Sequence, residues 1–179
     1  MKNTLFIAIL LFTFISVYAQ KTLTPADAGS KIHFVIKNFG INTGGDLTGM
    51  KGDIKFDAAK PALCSFNVTA DVKTIDTDNG KRDAHLKKEE YFDAEKYTVI
   101  RLVSTKIESA NKGSTYMFTG NLTIKGTTKP VHFLFTAIAK DGGYLFAGGF
   151  EINRLDFKVG DNSAVMSNNV TISISALSK

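Results

Sequence analysis

Cys64, the histidines His33, His85 and His132, and the acidic pair Asp76 and Asp78 are the side chains of this 179-residue chain that could carry catalysis or hold a metal. Cys64 falls on the apolar face of an alternating stretch with no base beside it, the setting of an inert small hydrophobe rather than an activated thiolate. None of the three histidines stands at helical ligand spacing from another, which argues against a zinc site. Asp76 and Asp78 run into Asn79-Gly80 and read as turn or helix-cap residues rather than as paired acids. No glycine loop suited to cradling phosphate is present, and the Asn-x-Thr triplets at Asn67, Asn121 and Asn169 fall within expected strands.

The elements that position these residues are mostly strands. In Met50-Lys51-Gly52-Asp53-Ile54-Lys55-Phe56-Asp57 every second side chain is charged, so one face is wet and the other dry. The same period returns at Ile32, Phe34 and Ile36, at Cys64 to Val72, at Tyr116 to Ile124, at Val131 to Ala137, at Tyr144 to Ile152 and at Val170 to Ala176. Thr98–Ile107 reads as another strand, with Ile100 and Leu102 opposing Val99 and Val103, so that both its faces are expected to be covered. Turns such as Asn111-Lys112-Gly113 and Asp141-Gly142-Gly143 join the runs. About eight strands in an antiparallel meander must pack in two layers or close on themselves, and closure into a barrel removes the exposed edges. The interior of an eight-stranded barrel is filled by side chains or holds one small ligand.

Composition is that of a folded globular chain, with 44% hydrophobic and 22% charged residues. Residues 1–19 join Lys2 to an apolar run ending in Val17-Tyr18-Ala19, the pattern of a cleaved signal peptide, so a single domain of residues 20–179 is expected outside the cytoplasm, periplasmic or secreted, with no stable membrane anchor. Removing Lys2 lowers the formal charge from +5 to +4, and the lysines are scattered, which argues against nucleic-acid binding. A single cysteine excludes internal disulfides.

Eleven of the 14 phenylalanines follow the leader, most of them on dry faces. Two readings stay open: they interlock as a packed core, or they line a space for a ligand. Gly52, Gly120 and Gly148, on the same faces, mark bends or close approach. Within residues 74–97, TIDTDNGKRDAHLKKEEYFDAEKY, the stretch Asn79–Glu90 is too charged for a strand, and Ala84, Leu86 and Tyr91 give a thin apolar stripe suited to a short surface helix, capped by Asp76 or Asp78, which with Tyr91-Phe92 can cover one end of a barrel.

Four blocks, FVIKNFG at 34–40, IDTDNGKRDAHLKKEEYFDAEKY at 75–97, TGNLTIKGTTKPVHF at 119–133 and FEINRLDFKVG at 150–160, resemble in order the YceI-like polyisoprenoid-binding family. Two departures are Thr98, where many relatives have proline, and Lys158, where many have glycine. The resemblance implies an all-β, eight-stranded antiparallel lipocalin-like barrel with a short helical insert, exported by bacteria, whose apolar channel accepts a long isoprenoid, quinone or fatty amphiphile. It implies no enzymatic activity, and no cofactor is expected. The expected lining is Phe34, Ile36, Ile54, Phe56, Phe66, Val68, Phe118, Leu122, Phe133, Phe135, Phe150 and Ile152. The tail dominates affinity, since an isoprene unit contributes at most roughly 4 kcal/mol at about 0.8 kcal/mol per methylene. A polar head would be held near the mouth, with Arg82, His85 and Arg154 as candidates. The competing assignment makes Arg82 with Asp83 and Arg154 with Asp156 structural ion pairs. A ligand-free interaction or stress-response barrel and a Cys64-dependent enzyme are the alternative functions. Phe135→Arg, which places an unpaired charge on a dry face, is expected to abolish folding or lipid uptake, read by circular dichroism and lipid titration.

Overall fold

The structure, a computed structural model, describes residues 22–110 and 113–179. The expected leader at 1–19 lies outside these residues, as do Asn111 and Lys112 of one expected turn. Eight strands follow the alternation: β2 Lys31–Asn38, β4 Lys51–Lys55, β5 Ser65–Asp71, β6 Val99–Ser109, β7 Thr115–Ile124, β8 Thr127–Lys140, β9 Gly143–Asn153 and β10 Met166–Ser178. Two more add to the expected eight: β1 Thr22–Leu23 and β3 Ile41–Leu47. The latter, INTGGDL, has no hydrophobic alternation, because Gly45 faces a crowded interior where a Cβ would strike the Phe34 ring and Thr77. All ten strands form one antiparallel sheet in the order β1-β4-β5-β6-β7-β8-β9-β10-β2-β3.

This sheet curls into a barrel whose seam is closed by short junctions rather than by a continuous ladder. Antiparallel steps counted from β4 round to β3 leave those two strands running in the same direction, with only Thr48–Met50 between them, so the chain itself crosses the seam. Asp46 and Asp76 exchange backbone hydrogen bonds of 2.7 and 3.0 Å. On the other side Thr22–Leu23 pairs with β4 while Thr24 and Ala26 bond to Lys179 and Leu177 at the end of β10.

Within β6 the pairing slips by one residue between Ser104 and Lys106, a bulge that lets both Leu102 and Ile107 face inward although they differ in parity. Gly120 lies opposite, where a Cβ would meet the Val103 carbonyl. The outer face of β6 is less covered than its sequence suggests, for Val99 is 44% exposed. Between β8 and β9 the ladder runs from Lys140–Gly143 to Phe135–Gly148 and stops, and beyond it the stacked rings of Phe133 and Phe150, 4.6 Å apart, span the split from inside.

One helix, α1 Gly80–Leu86, interrupts the meander. Its cap is Asn79, whose side chain accepts the Arg82 N–H at 3.1 Å, and neither Asp76 nor Asp78 takes that role. Asp76 instead accepts from the N–H of Asp78, which is held at a φ of +56°. Lys158 occupies the left-handed region at +59° and ends a short 3-10 helix, Arg154–Phe157. Glycine suits that conformation better than a lysine does.

Asp46 concentrates charge at the seam. Burial acts to raise its pKa, but hydrogen bonds from Lys31 at 2.8 Å and His33 at 2.7 Å hold the carboxyl below its ordinary value. A depressed carboxylate pKa gives stability that is complete above the unfolded value of about 4 and is lost as pH falls through the folded one. Asp46→Asn is therefore expected to lower the melting temperature at neutral pH, with the gap to the parent protein closing in melts below about pH 3.

Candidate functional site

Inward rings interlock most densely at one end of the barrel. At the end away from α1, Phe56 packs edge-on against Tyr116, Tyr144 and Phe146 with centroids 5.1, 4.9 and 5.1 Å away, and Phe66 does the same with Phe118, Phe135 and Phe146 at 6.0, 5.4 and 5.2 Å. These edge-to-face contacts form a plug. Between the plug and α1 lies a cavity of about 230 Å³ with a predominantly apolar wall.

Eleven of the twelve expected lining residues stand on that wall, and Phe56 does not. It has the expected face but the wrong height, since it lies within the plug. The cavity wall also includes Met50, in phase with Ile54, and Met166, Val159 and Phe157, which strand parity does not single out. Leu86, Tyr91 and Phe92 close the end, which gives the charged insert the expected place as a lid.

The polar residues of the wall, apart from Thr69, gather at the lid end: Asn38, Thr43, Thr77, Arg82 and Arg154, beside Tyr91. Thr43 went unnoticed because β3 carries no alternation. Neither expected ion pair forms. Arg82 donates through Nε and Nη2 to the Thr77 hydroxyl and carbonyl, and Asp83 accepts from the same threonine's N–H and hydroxyl, so both charges bind Thr77 and not each other. Arg154, 4% exposed, donates to the carbonyls of Ser167, Val159 and Asp161 at 3.0, 2.8 and 2.7 Å and to the Asn168 side chain at 3.1 Å. Burial acts to lower its pKa, while Tyr91 and Asp161 act the other way. Among the described residues no carboxylate oxygen lies within salt-bridge distance of either guanidinium. His85 is exposed, edge-on to Tyr91 at 4.9 Å, and is no part of the cavity wall.

Cys64 lies far from this chamber's polar end. It caps the 3-10 turn Pro61–Leu63, and its Sγ accepts the Asp57 N–H at 3.2 Å and donates to the carbonyls of Asp57 and Lys60. Burial pushes the thiol pKa up. A raised pKa and saturated sulfur make it a staple of the loop rather than a nucleophile.

A sequence profile described as the YceI-like domain matches residues 23–177. A UPF0312 protein of Shewanella oneidensis is 30% identical over 170 residues, spanning 89% of this chain and 88% of its own. The crystal structure of BcnA from Burkholderia cenocepacia superposes with a TM-score of 0.80 at 29% identity, over 85% of this chain and 98% of that one. A polyisoprenoid binding domain from Saccharophagus degradans, implicated in plant cell wall breakdown, shares the fold with a TM-score of 0.71 at 12% identity, over 88% and 97% of the two chains.

Two outcomes follow from the geometry. Arg154→Ala strands three carbonyls and is expected to cost about 3 kcal/mol in denaturant unfolding. Cys64 is expected to resist thiol reagents in the native protein and to react fully once the chain is unfolded, measured by colorimetric thiol titration.

Proposed function

The chain belongs to the YceI-like domain family, and from that premise we propose that it is an exported carrier which sequesters one long-tailed isoprenoid, quinone or similar amphiphile between plug and lid. The single observation that carries this reading is the cavity of about 230 Å³ left apolar and unfilled beside a densely interlocked plug.

Burial of a tail contributes about 0.8 kcal/mol per methylene before the costs of association, which run to about 4–15 kcal/mol. A short tail therefore binds weakly and a full one tightly. The head sits at the lid end, where Arg82 and Arg154 supply positive charge with, among the described residues, no carboxylate within salt-bridge distance and Asn38, Thr43 and Thr77 supply neutral polar contacts. The apolar leader with Lys2 and Val17-Tyr18-Ala19 supports export, and a mature N-terminus at Gln20 is the outcome to look for by mass spectrometry of the protein from its own host.

Affinity for a ladder of prenols is expected to climb with each isoprene unit and level off once the chamber is full, because further units protrude. Filling the chamber with Val68→Phe and Ile174→Phe, both on its wall, is expected to weaken uptake at least about tenfold while the melting temperature holds. An empty barrel in native mass spectra, together with no uptake of any prenol, would refute the carrier and leave an interaction module.

A further inference from the structure

Phe39 and Gly40 form the two-residue tip of the β2–β3 hairpin, both at positive φ, +51° and +74°. A tip of this kind prefers Asn-Gly, and a bulky aromatic in the left-handed region runs against local preference. The turn holds the Phe39 ring in solvent at 73% exposure, with Ile41 at 71% beside it. Val165, whose carbonyl accepts the Phe39 N–H at 2.8 Å, is 42% exposed. One step down the same strands Asn38, Thr43 and Met166 stand on the cavity wall, so the tip is the rim of the chamber. The segment Lys37–Gly45 carries one cation and no carboxylate.

We propose that this hairpin tip is a membrane-docking prong, which seats Phe39, Ile41 and Val165 at the boundary between headgroups and acyl chains while the chamber loads or unloads. The inference rests on the carrier reading for its purpose: a tail that fills the chamber resides in a bilayer, and apolar groups at the rim let it cross without exposure to water. Lys37 adds attraction to anionic lipid. Three side chains on a projecting turn make a poor dimer face, since a stable interface buries about 1,200 Å² or more, whereas a bilayer accepts single side chains.

The test uses the full mature chain, stripped of lipid, with vesicles of phosphatidylethanolamine and phosphatidylglycerol, and the double variant Phe39→Asn with Ile41→Asn. Asparagine suits the left-handed turn, so the variant is expected to melt no lower than the parent. Partition onto vesicles in flotation should fall on the order of tenfold or more, and transfer of a fluorescent prenol from vesicles should slow in parallel. Uptake of the same prenol delivered from solution should stay unchanged. Equal vesicle partition for parent and variant, or a parent that dimerises without vesicles and becomes monomeric in the variant, would overturn the prong. Failure of the carrier reading shows separately, as loss of prenol uptake from solution in the parent protein.

Discussion

The interior of this barrel is larger than its inward side chains can fill, and the rest of the structure follows from how that shortfall is distributed. Aromatic rings could have been spread evenly, leaving scattered voids too small for any guest. They are instead concentrated at one end, where Phe56, Phe66, Tyr116, Tyr144 and Phe146 interlock at centroid distances near 5 Å. The contacts gathered in the plug support the fold, and the missing contacts become one continuous chamber. A void loses dispersion partners along its whole lining, so its persistence depends on a stiff wall and on a cover at the open end.

Stiffness comes from the closure of the sheet. Eight ladders alone would leave β3 and β4 with open edges facing each other. The three-residue passage from β3 to β4, the paired backbone bonds of Asp46 and Asp76, and the N-terminal segment held between β4 and the end of β10 tie those edges together. The β8–β9 split is the complementary case, because its wall is held by the stacked pair Phe133 and Phe150 rather than by backbone bonds. Pro130, on the unladdered stretch of β8, fits this arrangement, since it has no N–H to offer a neighbouring strand.

Alternation in the sequence made most of this legible, because period two reports which face a residue occupies. Phe34, Phe118, Phe133 and Phe150 were assigned to the interior on that basis and stand there. Period two does not report height along the barrel axis, which is why Phe56 was grouped with the chamber although it lies in the plug. Nor does it survive a bulge: Leu102 and Ile107 differ in parity yet both point inward. Strand β3 was invisible because its inward positions are set by crowding, so Gly45 and Thr43 stand where a hydrophobic pattern would have been expected. The helix cap is hidden from the sequence for a similar reason, as several Asx residues in succession compete for one role and only the turn at Asp78 decides that Asn79 takes it.

The two arginines at the lid differ in what they can give to a guest. Arg154 is engaged by four acceptors and holds the loop between β9 and β10 in place, so what it can offer a head group is mainly its charge, which among the described residues has no carboxylate within salt-bridge distance. Arg82 spends two of its three nitrogens on Thr77 and keeps donors free on a helix that forms the cover. A long-range field from a fixed guanidinium and free donors on the covering helix suit the proposed ligand, recognised by its tail and only sorted by its head. On the proposed carrier reading, exchanging Arg82 is expected to alter which head is preferred, whereas the length of tail that fits is set by the distance from the plug to the lid.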